Sequence, residues 1–318
     1  MTLASRLPTL PKGFVLESGR RGVLVARAED LDALRAAGFL PDNRHGDGRG
    51  AELADAEESG REPLGRIDVA GRACLARRFT HGGLARVLTG RRFLDPARPF
   101  DELVLSETLR GHGIPTPRVV AARAVATRPL GFELTLVTER LPGTVDVGHL
   151  MGAVRRGAAT RLRLRSALVA TARLVRRLHD VGFLHADLQP ANVLVPDSNT
   201  DDGGGATEAC VLDLDRSRFD GTGPLDDGLC TRNLGRLWRH VRRREREYGP
   251  ILSRADIVRF LRAYGTPREL LRDHLRAIES AAETRGALHR IGWLLERTFG
   301  RRHDARAHDG HSASTTRG

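Results

Sequence analysis

Lysine is almost missing from this chain: of its 52 basic residues all but Lys12 are arginine. That skew follows a GC-rich coding bias, so no arginine is significant merely for being one. Aromatic residues are few as well, at 4 %. With no recognisable nucleic-acid module either, a formal charge of +12 does not point to DNA or RNA, whose binders interleave stacking rings with their cations. The three cysteines, Cys74, Cys210 and Cys230, form no CxxC pair; an odd set of this kind reads as buried thiols in a reducing compartment, not a disulfide framework. No apolar run approaches the roughly 18 residues that span a bilayer, and the N-terminus lacks the apolar core of a signal peptide. The expectation is a cytoplasmic protein, with an anionic membrane surface as one partner for its charge.

What is present is a globular pattern: 318 residues, 40 % of them apolar, enough for two lobes or one large domain. Residues 14–45 read as a small leading element, strand-like over 14–16 and 23–25 and helical over 31–37, and 43–60 as a linker. The chain thus divides into an extension and linker over 1–59, a strand-rich unit over 60–139, a helical unit over 140–299 and a polar, disordered tail over 300–318. Gly60 to Gly65 precede a strand over 66–69, an Ala70-Gly71 turn and a strand over 72–79. Glycines let backbone amides approach an anion, so Gly60 and Gly65 frame a candidate phosphate-covering loop; Gly19 to Gly22 is a competing one upstream. On the second strand Ala73, Leu75 and Arg77 share a face. A helix over 100–112 puts Glu102, Leu105 and Leu109 on its apolar stripe. A core-facing carboxylate wants a cation, and Arg77 is the expected partner, with Glu107 the alternative carboxylate. Strands over 119–125 and 132–138 follow. Further helices are expected over 166–181, closed by Gly182, over 233–247, over 253–264, from a Thr266/Glu269 capping box with Pro267, and over 282–299.

The chemistry sits in His185-Ala186-Asp187-Leu188-Gln189-Pro190-Ala191-Asn192, followed by an apolar strand, a polar loop over 196–208, and Val211-Leu212-Asp213-Leu214-Asp215. This resembles the catalytic loop H-x-D-x-x-x-x-N and the metal-binding turn of the protein-kinase-like fold. The resemblance implies an α+β, bilobal fold with a small β-rich N-lobe and a helical C-lobe. It also implies roles: Asp187 orients the attacking hydroxyl, Asn192 and Asp213 hold Mg²⁺, and His185 braces the loop. Arg77 stands where such folds place their phosphate-pairing lysine, held by Glu102, and an edge-strand surface arginine is the competing reading. Glu139 and Leu141 fall in the hinge, whose backbone reads adenine. Asp215 either joins the metal site or caps a turn.

The pattern narrows further. Leu75 to Leu84, with His81-Gly82-Gly83-Leu84, resembles the L-R-x-Y-x-R-G-G-L segment of lipopolysaccharide core kinases acting on 3-deoxy-D-manno-octulosonic acid (Kdo). Arg98 to Glu102 and Gly113 to Pro117 resemble R-x-F-x-E…G-L-P-V-P, Leu212 to Arg216 resembles I-D-F-D-R, and Asn233-Leu234-Gly235-Arg236-Leu237 resembles N-L-x-R-L. Such a family implies ATP- and Mg²⁺-dependent phosphorylation of an inner-core sugar on lipid A precursor, at the cytoplasmic face of a Gram-negative inner membrane. Arg232, Arg236, Arg239, Arg242 and Arg243 then form either a lipid-facing helix surface or a plain solvated one. Gln189-Pro190 is closer to the loops of aminoglycoside-like small-molecule phosphotransferases, which is the competing acceptor class; a non-catalytic kinase-fold module is the third reading.

Overall fold

The computed structural model describes residues 7–42, 65–80, 92–127, 130–197 and 208–283. Strands β1 (Phe14–Ser18) and β2 (Gly22–Arg27), helix α1 (Leu31–Ala36), β3 (Gly65–Val69), β4 (Arg72–Arg78), helix α2 (Arg98–Gly111), β5 (Val119–Ala126) and β6 (Phe132–Glu139) build the first half. All six strands join one antiparallel sheet in the order β1-β2-β5-β6-β4-β3. The two-residue Ala70-Gly71 turn, both residues at positive φ, gives the β3–β4 hairpin the twist such turns require.

The leading segment is therefore not separate from the strand-rich unit, contrary to the division drawn at residue 59. β2 lies against β5 from Gly22 opposite Val125 to Ala26 opposite Ala121. The reason is β5 itself, which is apolar on both faces and must be covered on both. Val119, Ala122 and Ala124 pack with Phe100 and Leu103 of α2. Val120 and Ala121 pack with Leu24, Leu34 and Phe39 from the leading segment. Between them Arg123 is buried, its guanidinium 3.9 Å from the Phe39 ring centroid and donating to the Leu40 carbonyl at 3.1 Å; burial pushes its pKa down to about 10. Buried Asp30 takes Arg72 and Arg118, and Arg118 also donates to Glu139 at 2.9 Å. The leading segment thus braces the corner where β6 leaves the sheet.

The second half comprises β7 (Thr144–Asp146), α3 (Val147–Arg155), α4 (Arg161–Asp180), β8 (Phe183–Leu184), β9 (Val193–Pro196), β10 (Cys210–Val211), β11 (Arg218–Phe219), α5 (Asp227–Tyr248) and α6 (Arg254–Tyr264), with 271–283 also helical. The result is the expected α+β arrangement, a sheet-rich lobe followed by a helical one. Helix caps explain the boundaries that apolar periodicity misplaced. Thr160 accepts from the Arg163 amide at 3.2 Å and starts α4 before 166. Asp226 accepts from Leu229 at 2.8 Å and starts α5 before 233. Asp146, capping α3, marks a helix the apolar pattern did not predict. The capping box forms at Ser253 and Asp256, not at Thr266 and Glu269: the Thr266 hydroxyl pairs with His274 Nδ1 at 2.8 Å, and the chain makes a 3-10 turn over Arg268–Leu270. The predicted loop over 196–208, the helix over 282–299 and the tail over 300–318 lie largely or wholly outside the described residues.

A polar chain crosses the helical core. The Tyr264 hydroxyl donates to His179 Nδ1 at 2.8 Å, His179 Nε2 donates to the Asn233 amide oxygen at 3.1 Å, and Asn233 Nδ2 donates to the His185 carbonyl at 2.8 Å. Burial pushes the His179 pKa down to about 4 from 6.5, against the pull of its Asn233 bond. A histidine depressed in the folded state supplies stability that is intact above pH 6.5 and lost as pH falls toward 4, since the unfolded chain takes up the proton first. We expect the wild type to lose about 3 kcal/mol across that window through this residue. Urea midpoints read at pH 7 and pH 4.5 test it: His179→Gln should show a flatter decline, and an equal decline in both proteins would refute the assignment.

Candidate active site

Helix α4 ends at Asp180, with Val181 as its C-cap, and the chain must reverse at once into β8. Gly182 does this at φ 76°, where a Cβ would stand 2.3 Å from the Gly223 carbonyl oxygen, so only glycine fits. Three residues on, the loop from His185 to Asn192 is pinned from below by its backbone. Asn233 holds the His185 carbonyl, as above, and the Ser217 hydroxyl accepts from the Ala186 amide at 3.0 Å. His185 is fully buried. Its Nε2 donates to the Leu212 carbonyl at 2.9 Å and its Nδ1 accepts from the Asp187 amide at 3.1 Å. Burial keeps its pKa below the usual histidine value, consistent with a neutral bracing ring.

Asp187 is fixed by its neighbours. Gln189 Nε2 donates to Oδ2 at 2.6 Å, and Asn192 Nδ2 donates to the same oxygen at 3.3 Å and to the Asp187 carbonyl at 2.8 Å. Oδ1 faces His240 of α5, with Nε2 3.9 Å away. Because the Asn192 amide nitrogen turns to Asp187, its oxygen points the other way. Asn192 precedes β9 and Asp213 follows β10. These strands pair Val193 with Val211, and the Leu212 amide donates to the Asn192 carbonyl at 2.9 Å, so both residues leave the same end of one ladder. Asp213 adopts φ 57°, a left-handed conformation that costs a non-glycine residue energy and re-aims its side chain after the strand.

Arg77 joins the two lobes here. It donates through Nη1 to Asp213 Oδ1 at 2.9 Å and through Nη2 to Glu102 Oε2, while its guanidinium lies 4.5 Å from the Phe79 ring centroid. The Leu214 amide donates to Glu102 Oε1 at 3.2 Å. Burial pushes the Glu102 pKa up to about 7, and the Arg77 charge opposes that rise. The ion pair expected from the helix stripe is therefore present, and Arg77 is no surface arginine. Glu107, the alternative, instead pairs with Arg27 at 2.6 Å.

Several contributors are not readable from residue spacing. Arg98 grips both oxygens of Asp215, through Nε at 3.1 Å and through Nη2, so this carboxylate is a lobe-to-lobe tie instead of a turn cap. The sequence signals for it are the R-x-F-x-E and I-D-F-D-R resemblances, which hold Arg98 and Asp215. Gln189, Ser217 and Asn233 likewise hold the loop. At the connector, the Glu139 side chain is taken by Arg118 and Arg72, the Arg140 amide donates to the Ala73 carbonyl at 2.9 Å, and the Leu141 carbonyl accepts from the Thr144 hydroxyl at 2.8 Å. Gly60 lies outside the described residues; Gly65 opens β3 opposite Ala76, next to Arg77. The arginine row of α5 does not form one surface: Arg232, Arg242 and Arg243 are exposed, whereas Arg236 and Arg239 are half-buried, and Arg239 Nε donates to the Ala282 carbonyl at 3.1 Å.

Residues 58–264 match the model of the lipopolysaccharide kinase (Kdo/WaaP) family. The chain is similar to the 3-deoxy-D-manno-octulosonic acid kinase of Stenotrophomonas maltophilia (strain R551-3), 29 % identical over 221 residues that cover 68 % of this chain and 80 % of the relative. It is also similar to the protein of the same name from Haemophilus influenzae (strain ATCC 51907 / DSM 11121 / KW20 / Rd), 28 % identical over 149 residues, 45 % of this chain and 56 % of that one. Among solved structures, "WaaP in complex with acyl carrier protein" aligns with a TM-score of 0.49 at 24 % identity, over 74 % of this chain and 90 % of the other. The family match contains the whole constellation from Arg77 to Asp215, and the chain belongs to the lipopolysaccharide kinase (Kdo/WaaP) family.

Proposed function

We propose that this protein transfers the γ-phosphoryl group of ATP to a hydroxyl of the Kdo sugar on lipid A precursor, with Asp187 as the base. As a family member it is a phosphotransferase that acts on a sugar hydroxyl of the lipopolysaccharide core. The observation that carries the assignment is the convergence of two sets: Arg77, Glu102 and Asp213 tied across the lobes, and Asp187 oriented by Gln189 and Asn192. The acceptor oxygen bonds to the γ-phosphorus as the bond from that phosphorus to the bridging oxygen of ADP breaks, and the hydroxyl proton passes to Asp187 Oδ1. The donor set suits Mg²⁺: Asn192 and Asp213 offer hard oxygens, the ligands that ion takes. When bound, the ion neutralises phosphate charge. Arg77 pairs with the phosphates, and the backbone at Glu139 and Leu141 reads the adenine.

No helix among the described residues is long and apolar enough to cross a membrane, and the acceptor is a lipid. Peripheral contact with an anionic surface, helped by exposed Arg232 and Arg242, brings the enzyme to it. With MgATP and Kdo-bearing precursor in anionic vesicles, one added phosphate is expected by mass spectrometry, with turnover falling as salt rises. Absence of product on Kdo, alongside turnover of an aminoglycoside or a heptose, would replace the acceptor; absence on all three would remove the activity.

A further inference from the structure

Asp187 shows its two oxygens to different neighbours. Oδ2 takes the amides of Gln189 and Asn192, whereas Oδ1 faces His240 Nε2 across 3.9 Å. That gap is too long for a direct hydrogen bond, and one hydroxyl oxygen placed between the two atoms can reach both. His240 also has neighbours of its own kind. At the helical step of about 100° per residue, Arg236, His240 and Arg243 fall within about 60° of one another on α5, while Leu234, Leu237 and Val241 are buried on another side. Asn233 lies on the same face one turn earlier and donates to the His185 carbonyl, which fixes this face against the catalytic loop. Arg239, next to it, turns away to Ala282. Burial and the charges of Arg239, Arg236 and Arg243 hold the His240 pKa below the usual value, against the pull of Asp187, so His240 is a neutral ring among cations.

An octulosonic acid brings a carboxylate of its own, ionised at neutral pH. In this cleft it meets Asp187 and the nucleotide phosphates, and an uncompensated third anion would be repelled. A neutral hexose has no such need. Resting on the function proposed above, we infer that Arg236 and Arg243 form the subsite for the acceptor's carboxylate and that His240 positions the sugar hydroxyl beside Asp187 Oδ1. The subsite makes the enzyme selective for acidic sugars over neutral ones.

The test compares the Kdo acceptor with its carboxyl methyl ester, which keeps every hydroxyl and loses the charge. Hydrogen bonds to charged groups set the scale, so wild-type enzyme is expected to show a KM about 10- to 100-fold higher for the ester. Arg243→Gln, at an exposed position, should raise the KM for the acid by a similar factor and leave that for the ester and for ATP unchanged. Arg236→Gln should do the same, with the ATP KM reporting that the cleft is intact. Equal KM values for acid and ester in the wild type, or ester discrimination that survives both substitutions, would overturn the subsite. If the wild type phosphorylates neither compound, the function proposed above falls and takes the subsite with it.

Discussion

Asp187→Asn lowers kcat by about 10²- to 10⁴-fold, the range that a positioned general base contributes, with little change in the KM for ATP or in the melting temperature. The expectation follows from how the side chain is held. Its Oδ2 is oriented by Gln189 and Asn192, and neither partner depends on a negative charge at Oδ1. The side chain is 43 % exposed, so removing its charge leaves no hole in the core. Asparagine keeps an oxygen that Gln189 can reach and loses the lone pair that takes the hydroxyl proton. Single-turnover measurements with saturating MgATP separate this from a binding defect. A variant that retains a tenth or more of wild-type kcat would show that Asp187 merely shapes the loop.

Residue spacing makes part of this site legible for a physical reason. From His185 to Asn192 the loop is tethered to short strands on both sides, and Asp213 leaves the paired strand at the same end. Local sequence therefore determines which residues meet. Glu102 is readable in the same way, because a carboxylate on the apolar stripe of α2 must find a cation inside. The grip of Arg98 on Asp215 joins residues far apart in the chain, and nothing local distinguishes Arg98 in a sequence so rich in arginine. Asn233 is similar: its importance lies in the His185 carbonyl it meets, and no periodicity reports that. Helical spacing places Arg236 and Arg239 on one side of α5. It does not reveal that the closing helical stretch, through Ala282, covers part of that side. The leading segment escapes for another reason. Its strands are visible in sequence, but their attachment to β5 becomes necessary only once β5 is known to be apolar on both faces.

Arg77→Met is expected to destabilise the protein by about 3 kcal/mol at pH 8, the low end of the cost of removing one partner from a buried ion pair, and to raise the KM for ATP at least tenfold. The low end applies because the Arg77 side chain is 31 % exposed while that of Glu102 is 5 % exposed. Without the guanidinium, Glu102 keeps only the Leu214 amide among the described residues, and the pull that opposed its upward-shifted pKa is gone. Its folded pKa then rises beyond about 7, further from the usual 4.5. A carboxyl raised in the folded state contributes stability that is fully present below 4.5 and disappears as pH rises through the folded value. The variant should therefore approach wild-type stability at pH 5.5, where Glu102 carries a proton, and fall behind it at pH 8. Arg77→Lys separates charge from geometry: an ammonium restores much of the stability, but as a point charge it cannot span Glu102 and Asp213 as the fork does, so kcat/KM for ATP stays reduced. Urea midpoints at both pH values decide the matter, and a stability deficit independent of pH would mean that Glu102 does not carry the cost.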